Sequence, residues 1–212
     1  MSKPVLQIEV VSDVVCPWCY IGKRRLEQAI RSRNGKYDFQ VSYLPFELNP
    51  ATPESGVGYL EHLSEKFGGR DHFELLSARV AAVAAEEGLT FNHDKQKILP
   101  NTGRLHAIIQ AAGKNQAAVM EAFHKAFFTD GVDLSRRENA VEVAVSAGMS
   151  RPEAEKAWDD PNALARIREK GREIGLLGIH SVPCFIINRK AAIVGAQQAQ
   201  AFVSAFEKYA AN

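Results

Sequence analysis

The chain has 212 residues, 46% of them apolar and 24% charged, with a formal charge of +1 at pH 7. That balance belongs to a globular protein able to bury a full core, and it offers neither nucleic acid nor an anionic membrane an overall field to bind. No run of about 18 apolar residues is available to cross a bilayer as a helix. Residues 1–15 lack the apolar block and small-residue cleavage site of a secretion signal, so the expected location is cytoplasmic.

Val5 to Val11, "VLQIEVV", is rich in β-branched residues and predicts a strand buried on both faces. A helix follows: Pro17 suits a first helical turn, Leu26 and Ile30 lie four apart, and Asn34-Gly35 is a stop. "YDFQVSYLPFEL", from Tyr37, alternates until Pro45 and predicts a second strand, which makes a parallel βαβ unit.

From Gly56 to Asn162 the style changes to alanine-rich segments with apolar residues at helical spacing, and Gly88, Gly113 and Gly148 stand like helix stops. Four or more packed helices are expected there, with no strand among them. Gly56 and Gly58 do not make a nucleotide loop, because Glu61 stands where a third glycine is needed and no strand leads in.

After a further helix, "ALARIREKGREIGLLG", the strands "PCFIIN" and "AAIVG" flank a turn at "NRK", and "QAQAFVSAFEKYA" closes the chain as an amphipathic helix. The order βαβ, helices, αββα predicts an α/β domain made from residues 1–55 and 163–212. A helical domain, residues 56–162, is inserted in its middle.

The chemistry centres on "DVVCPWCYIGK". Cys16, Cys19 and Cys184 are the only cysteines, and in a reducing compartment a close pair is more often catalytic or metal-binding than a permanent staple. A structural zinc site wants four ligands, yet there is no second pair and none of the six histidines forms an H-x3–5-H pattern. A structural bridge across so short a loop gains little.

Dithiol–disulfide exchange fits best. At a helix tip Cys16 would be exposed and would face unpaired N–H groups that favour its thiolate, with Cys19 one turn inside to resolve a mixed disulfide. Pro183, at the start of a strand, gives up a ladder donor, and a cis Val182–Pro183 bond would account for the tight turn there.

Together, "DVVCPWCYIGK", "PNTGRLHAIIQAA", "GLLGIHSVPCFIIN" and the terminal "VGAQ" resemble the DsbA-like branch of the thioredoxin superfamily over nearly the whole chain. More narrowly they resemble the FrnE-type proteins, grouped with 2-hydroxychromene-2-carboxylate isomerases and kappa-class glutathione transferases. The resemblance implies a thioredoxin fold with a helical lid. It also implies Cys16 as nucleophile, Cys19 as resolving thiol, Pro183 in cis beside them, and the Val182 backbone holding an extended substrate.

Isomerases and transferases of this group carry serine where Cys16 stands. Their glutathione-holding Ser-Asp pair is replaced here by Ala196 and Gln197. The first departure favours thiol–disulfide exchange and the second weakens glutathione binding, with no cofactor required and glutathione retained as a candidate partner. The alternatives are a glutathione-dependent isomerase or transferase acting on an aromatic substrate, and a non-catalytic peptide-binding module.

Other residues carry two readings each. Asp13 is a candidate proton relay for Cys19 or a loop residue bonding locally. Pro17 and Trp18 are candidate substrate contacts beside Val182, with packing the rival role for Trp18. Cys184 is either a third thiol able to couple with the pair or a small apolar residue starting a buried strand. His106 is expected to be a packing residue, and His180 has the better claim on the cleft. Lys23, Arg24 and Arg25 are expected to form a solvated face.

Overall fold

A computed structural model describes residues 3–210. β1 (Val5–Ser12), α1 (Pro17–Ser32) and β2 (Asp38–Pro45) open the chain. β1 and β2 pair in parallel from Val5↔Asp38 to Ser12↔Pro45, as the βαβ reading requires. At the other end come α8 (Ala163–Leu176), β5 (Cys184–Ile187), β6 (Ala191–Val194) and α9 (Ala199–Tyr209). β5 runs antiparallel to both β1 and β6, giving a four-stranded sheet in the order β2-β1-β5-β6.

The hairpin between β5 and β6 turns through Asn188 and Arg189, both with positive φ, a conformation that asparagine tolerates. The Asn188 side chain also accepts the Gln7 N–H at 2.8 Å and donates to Tyr209 O at 2.9 Å, tying the turn to β1 and α9.

On one face of the sheet Leu6, Ile8, Val10, Phe185 and Ile187 pack with Ile21 and Leu26 of α1 and Phe202 and Phe206 of α9. On the other face Val11 and Cys184 pack with Ile174 of α8. Coverage of that second face is incomplete. Gln7 is exposed and Glu9 half-buried, so β1 is buried on both faces only from Val10 onward, contrary to the expectation for its whole length.

Between the two halves lie β3 (Val57–Gly58), α2 (Tyr59–Lys66), α3 (Arg70–Glu86), β4 (Ile98–Leu99), α4 (Gly103–Ala111), α5 (Gln116–Lys125), α6 (Arg137–Ser146) and α7 (Arg151–Asp159). The expected helices are present, and the expected absence of strands is wrong. β3 and β4 form a short antiparallel ribbon, with Val57 opposite Leu99. A Cβ on Gly56 would stand 2.4 Å from Ile98 Cγ2, so a side chain there would push the ribbon apart.

α5 passes into a wider π turn at Ala126–Asp130, which ends in a left-handed Gly131. Ser150 caps α7, and Glu153 completes the capping box.

Candidate active site

Cys16 is the N-cap of α1, in extended conformation (φ −92°, ψ 112°), and Pro17 opens the helix. Proline is tolerated at that position because the N–H it lacks has no intrahelical partner. Cys16 N–H donates to Asp13 O at 3.2 Å, closing the turn after β1, and Cys19 N–H donates to Cys16 O at 3.0 Å. The two sulfurs thus lie one helical turn apart, and all three cysteines are free thiols.

The Val182–Pro183 bond is cis, and Cys16 Sγ lies 3.9 Å from Val182 O. The proline ring reaches α1 over a glycine: a Cβ on Gly22 would stand 3.1 Å from Pro183 Cγ and 3.0 Å from Phe185 Cζ. Cys16 is only 4% exposed, a correction to the open sulfur expected from the sequence, because the Val182 turn lies against it. Trp18 beside it is 41% exposed and available for contact, and Pro17 is partly buried.

Cys19 is enclosed, with the Asp13 N–H directed at its sulfur at 3.5 Å. Burial pushes its thiol well up and the adjacent Cys16 sulfur adds to the effect. The Ser12 hydroxyl and the Asp13 N–H pull the other way.

Asp13 has no exposed surface and gathers three segments. Its Oδ2 accepts the Leu48 N–H at 2.8 Å, and its Oδ1 lies 3.2 Å from Nε2 of His106 on α4. That nitrogen is also 3.1 Å from Phe46 O. With acceptors on both sides, His106 Nε2 carries the proton and donates. Both carboxyl oxygens are thereby occupied, and what Asp13 presents to Cys19 is its backbone N–H.

From α5, His124 Nε2 donates to Asp13 O at 3.3 Å while its ring stacks on Tyr20 at 4.9 Å. Burial lowers the His124 pKa to about 4, so the ring is neutral at pH 7.

The basic run after the pair is not a solvated face. Lys23 and Arg25 are buried, because α1 faces the inserted helices on that side. Lys23 pairs with Glu27 and with Glu121 of α5. Arg24 reaches Glu121 at 2.7 Å, and the Tyr20 hydroxyl donates to the same carboxylate at 2.9 Å. Burial works against the charge on Glu121, but Lys23 and Arg24 outweigh it and hold the carboxyl below its usual range. Arg25 bonds Glu87, just past α3, at 2.6 Å and Ala196 O, before α9, also at 2.6 Å.

Cys184 takes the second of its two readings, a small buried residue starting a strand, and the order of the two histidines reverses. Cys184 faces α8 with Val11 and Ile174, whereas the next residue, Phe185, lies with α1 and α9. One step along a strand reverses the side chain, so the third thiol is turned to the side of the sheet opposite α1. His180 is exposed, and His106, assigned the lesser claim, is the histidine that reaches the turn before the cysteines. Among the described residues no cluster of three or more His, Cys, Asp or Glu side chains is arranged to hold a metal ion. No described helix is long and apolar enough to cross a membrane.

A four-stranded sheet interrupted by helices, with a C-x-x-C pair capping α1 against a cis-proline, defines the thioredoxin-like class. The DSBA-like thioredoxin domain matches residues 7–207, and the chain belongs to that family.

A Streptomyces coelicolor protein described as a probable DsbA oxidoreductase is 30% identical and superposes with a TM-score of 0.86, over 96% of this chain and 89% of that one. The cytosolic disulfide reductase DsbM of Pseudomonas aeruginosa, at 18% identity, shares the fold with a TM-score of 0.61 over 97% and 96% of the two chains. The uncharacterized Bacillus subtilis protein YwbO is 30% identical over 104 residues, 43% of this chain and 50% of YwbO, so the matched part spans half the length of that relative.

Proposed function

We propose that this chain is a cytoplasmic, FrnE-type thiol–disulfide oxidoreductase that reduces or isomerises disulfides of proteins or small thiols. The observation that carries the reading is the placement of Cys16 at the tip of α1, one turn from Cys19 and 3.9 Å from the Val182 carbonyl. An extended substrate lying along Val182 would bring its disulfide to Cys16, with Trp18 and Pro17 as the apolar margin.

Cys16, as thiolate, attacks one substrate sulfur, forming a mixed disulfide and expelling the other sulfur as a thiolate. Cys19 then loses its proton and attacks Cys16. The first substrate sulfur leaves, the protein holds a Cys16–Cys19 disulfide, and the substrate has gained two electrons. An external thiol, with glutathione as the candidate class, returns the pair to the dithiol.

Cys19→Ser tests the reading in an insulin-reduction assay with a thiol reductant. Turnover should collapse while a mixed disulfide on Cys16 accumulates in the intact mass. Turnover at the wild-type rate would remove Cys19 from the reaction and favour chemistry that needs the Cys16 sulfur alone.

A further inference from the structure

The Asp13 backbone serves both cysteines at once. Its carbonyl accepts the Cys16 N–H at 3.2 Å and its N–H points at Cys19 Sγ from 3.5 Å. His124 holds that backbone directly, through the Asp13 carbonyl, and two further groups from elsewhere in the chain hold it through the Asp13 side chain. One is the Leu48 N–H, and the other is His106, nearly a hundred residues further on and 1% exposed.

We infer that His106 is a positioning residue for the resolving step: by anchoring the Asp13 carboxylate through Nε2, it keeps the Asp13 N–H aimed at the Cys19 sulfur. This rests on the exchange chemistry proposed above and adds to it a residue outside the cysteine motif.

The resolving step is where such an N–H matters. With glutathione on Cys16, Cys19 gives up its thiol proton, which the departing glutathione thiolate takes, and its sulfur displaces glutathione from Cys16. Charge develops on a sulfur buried at 2% exposure, where a fixed donor is worth more than in water. The first step, attack by Cys16, uses a different sulfur and should be nearly indifferent to His106. An unanchored Asp13 carboxylate would also be left buried with one fewer donor, which favours a local tilt of the Asp13 N–H away from Cys19.

The test compares three variants of the full chain. His106→Gln places an amide N–H near the original Nε2 and cannot titrate. His106→Asn carries the same group one methylene too short, and His106→Leu removes it. Two rates are read: alkylation of Cys16 by iodoacetamide, and decay of the Cys16–glutathione mixed disulfide formed from oxidised glutathione, followed by acid quench and intact mass.

The expected result is about tenfold slower decay in the Asn and Leu variants, near-wild-type decay in the Gln variant, and alkylation within about twofold throughout. Gln as slow as Leu would show that an N–H donor at that position is not what matters, and overturns the inference. So does decay at the wild-type rate in the Asn and Leu variants, and so does equal slowing of both rates, which marks a general loss of structure. A wild-type protein that forms no mixed disulfide at all would bring down the proposed function and this inference together. Normal wild-type exchange with an unresponsive His106 removes the inference alone. If the Leu variant fails to fold, the Gln and Asn pair decides.

Discussion

Gly22→Ala should destabilise the protein, although the same change in an exposed helix stabilises. Two opposing effects set the sign. Alanine in a helix interior is better than glycine by about 1 kcal/mol. At Gly22, however, the new methyl meets Phe185 Cζ at 3.0 Å and Pro183 Cγ at 3.1 Å, and Phe185 is fully buried with its ring edge-on to Phe202 at 4.8 Å. Forcing one methyl into such packing costs about 1–3 kcal/mol, which leaves a net loss centred near 1 kcal/mol.

Gly171, in α8, is the internal control. A Cβ there meets nothing within 4 Å, so Gly171→Ala should return the helix gain alone, about 1 kcal/mol. Equilibrium urea unfolding of the reduced protein reads the difference. At slopes of about 2–3 kcal/mol/M, the two midpoints should separate by about 0.5–1 M in opposite directions from wild type. If Gly22→Ala raises the midpoint as Gly171→Ala does, the tight seat of α1 on Pro183 and Phe185 is not real.

Acid should weaken the fold through His124. Its native pKa is about 4, below the unfolded value, so the unfolded chain binds the extra proton first. The contribution is complete above about pH 6.5 and is lost as pH falls towards 4, by about 3 kcal/mol at most, with Asp13, Lys23 and Glu121 as the charged groups facing the ring. His124→Gln should flatten the stability curve between those limits, and an unchanged slope would place the titration elsewhere.

Glu121→Leu, which strips Lys23, Arg24 and Tyr20 of a shared acceptor, should cost about 2–4 kcal/mol. Adding Lys23→Met should recover at least about 1 kcal/mol of that in a double-mutant cycle. Strictly additive losses would mean the two side chains do not interact.

The architecture was legible where local signals were strong. Strand periodicity, Pro17 at a helix start, Asn34-Gly35 at its end and the hairpin turn at Asn188 all act over a few residues. The parallel pairing of the first two strands and the closing hairpin followed from them and the helix between. Where the reading failed, the deciding partner lay far along the chain.

Lys23 and Arg25 look like surface charges until Glu121 and Glu87 arrive from the inserted helices. His106 resembles any helical histidine until Asp13 is found beside it. The β3–β4 ribbon is two residues a side, too short for alternation to register. Cys184 starts a buried strand, one of its two readings, while the face it takes depends on register, which only pairing with Val11 fixes. The cysteine motif itself was plain, whereas the residues that support it from beneath were not.

The charge network on α1 bears on how molecules reach the sulfurs. Glu121 grips Lys23 and Arg24, and Glu87 grips Arg25, all on the helix that Cys16 caps. The inserted helices are therefore bolted to the reactive helix instead of hinged above it, and swinging them away would take Glu87 from buried Arg25 and leave Lys23 with Glu27 alone. In the proposed exchange reaction, a substrate would therefore meet Cys16 beside exposed Trp18 and the Val182 carbonyl, with the inserted helices held in place.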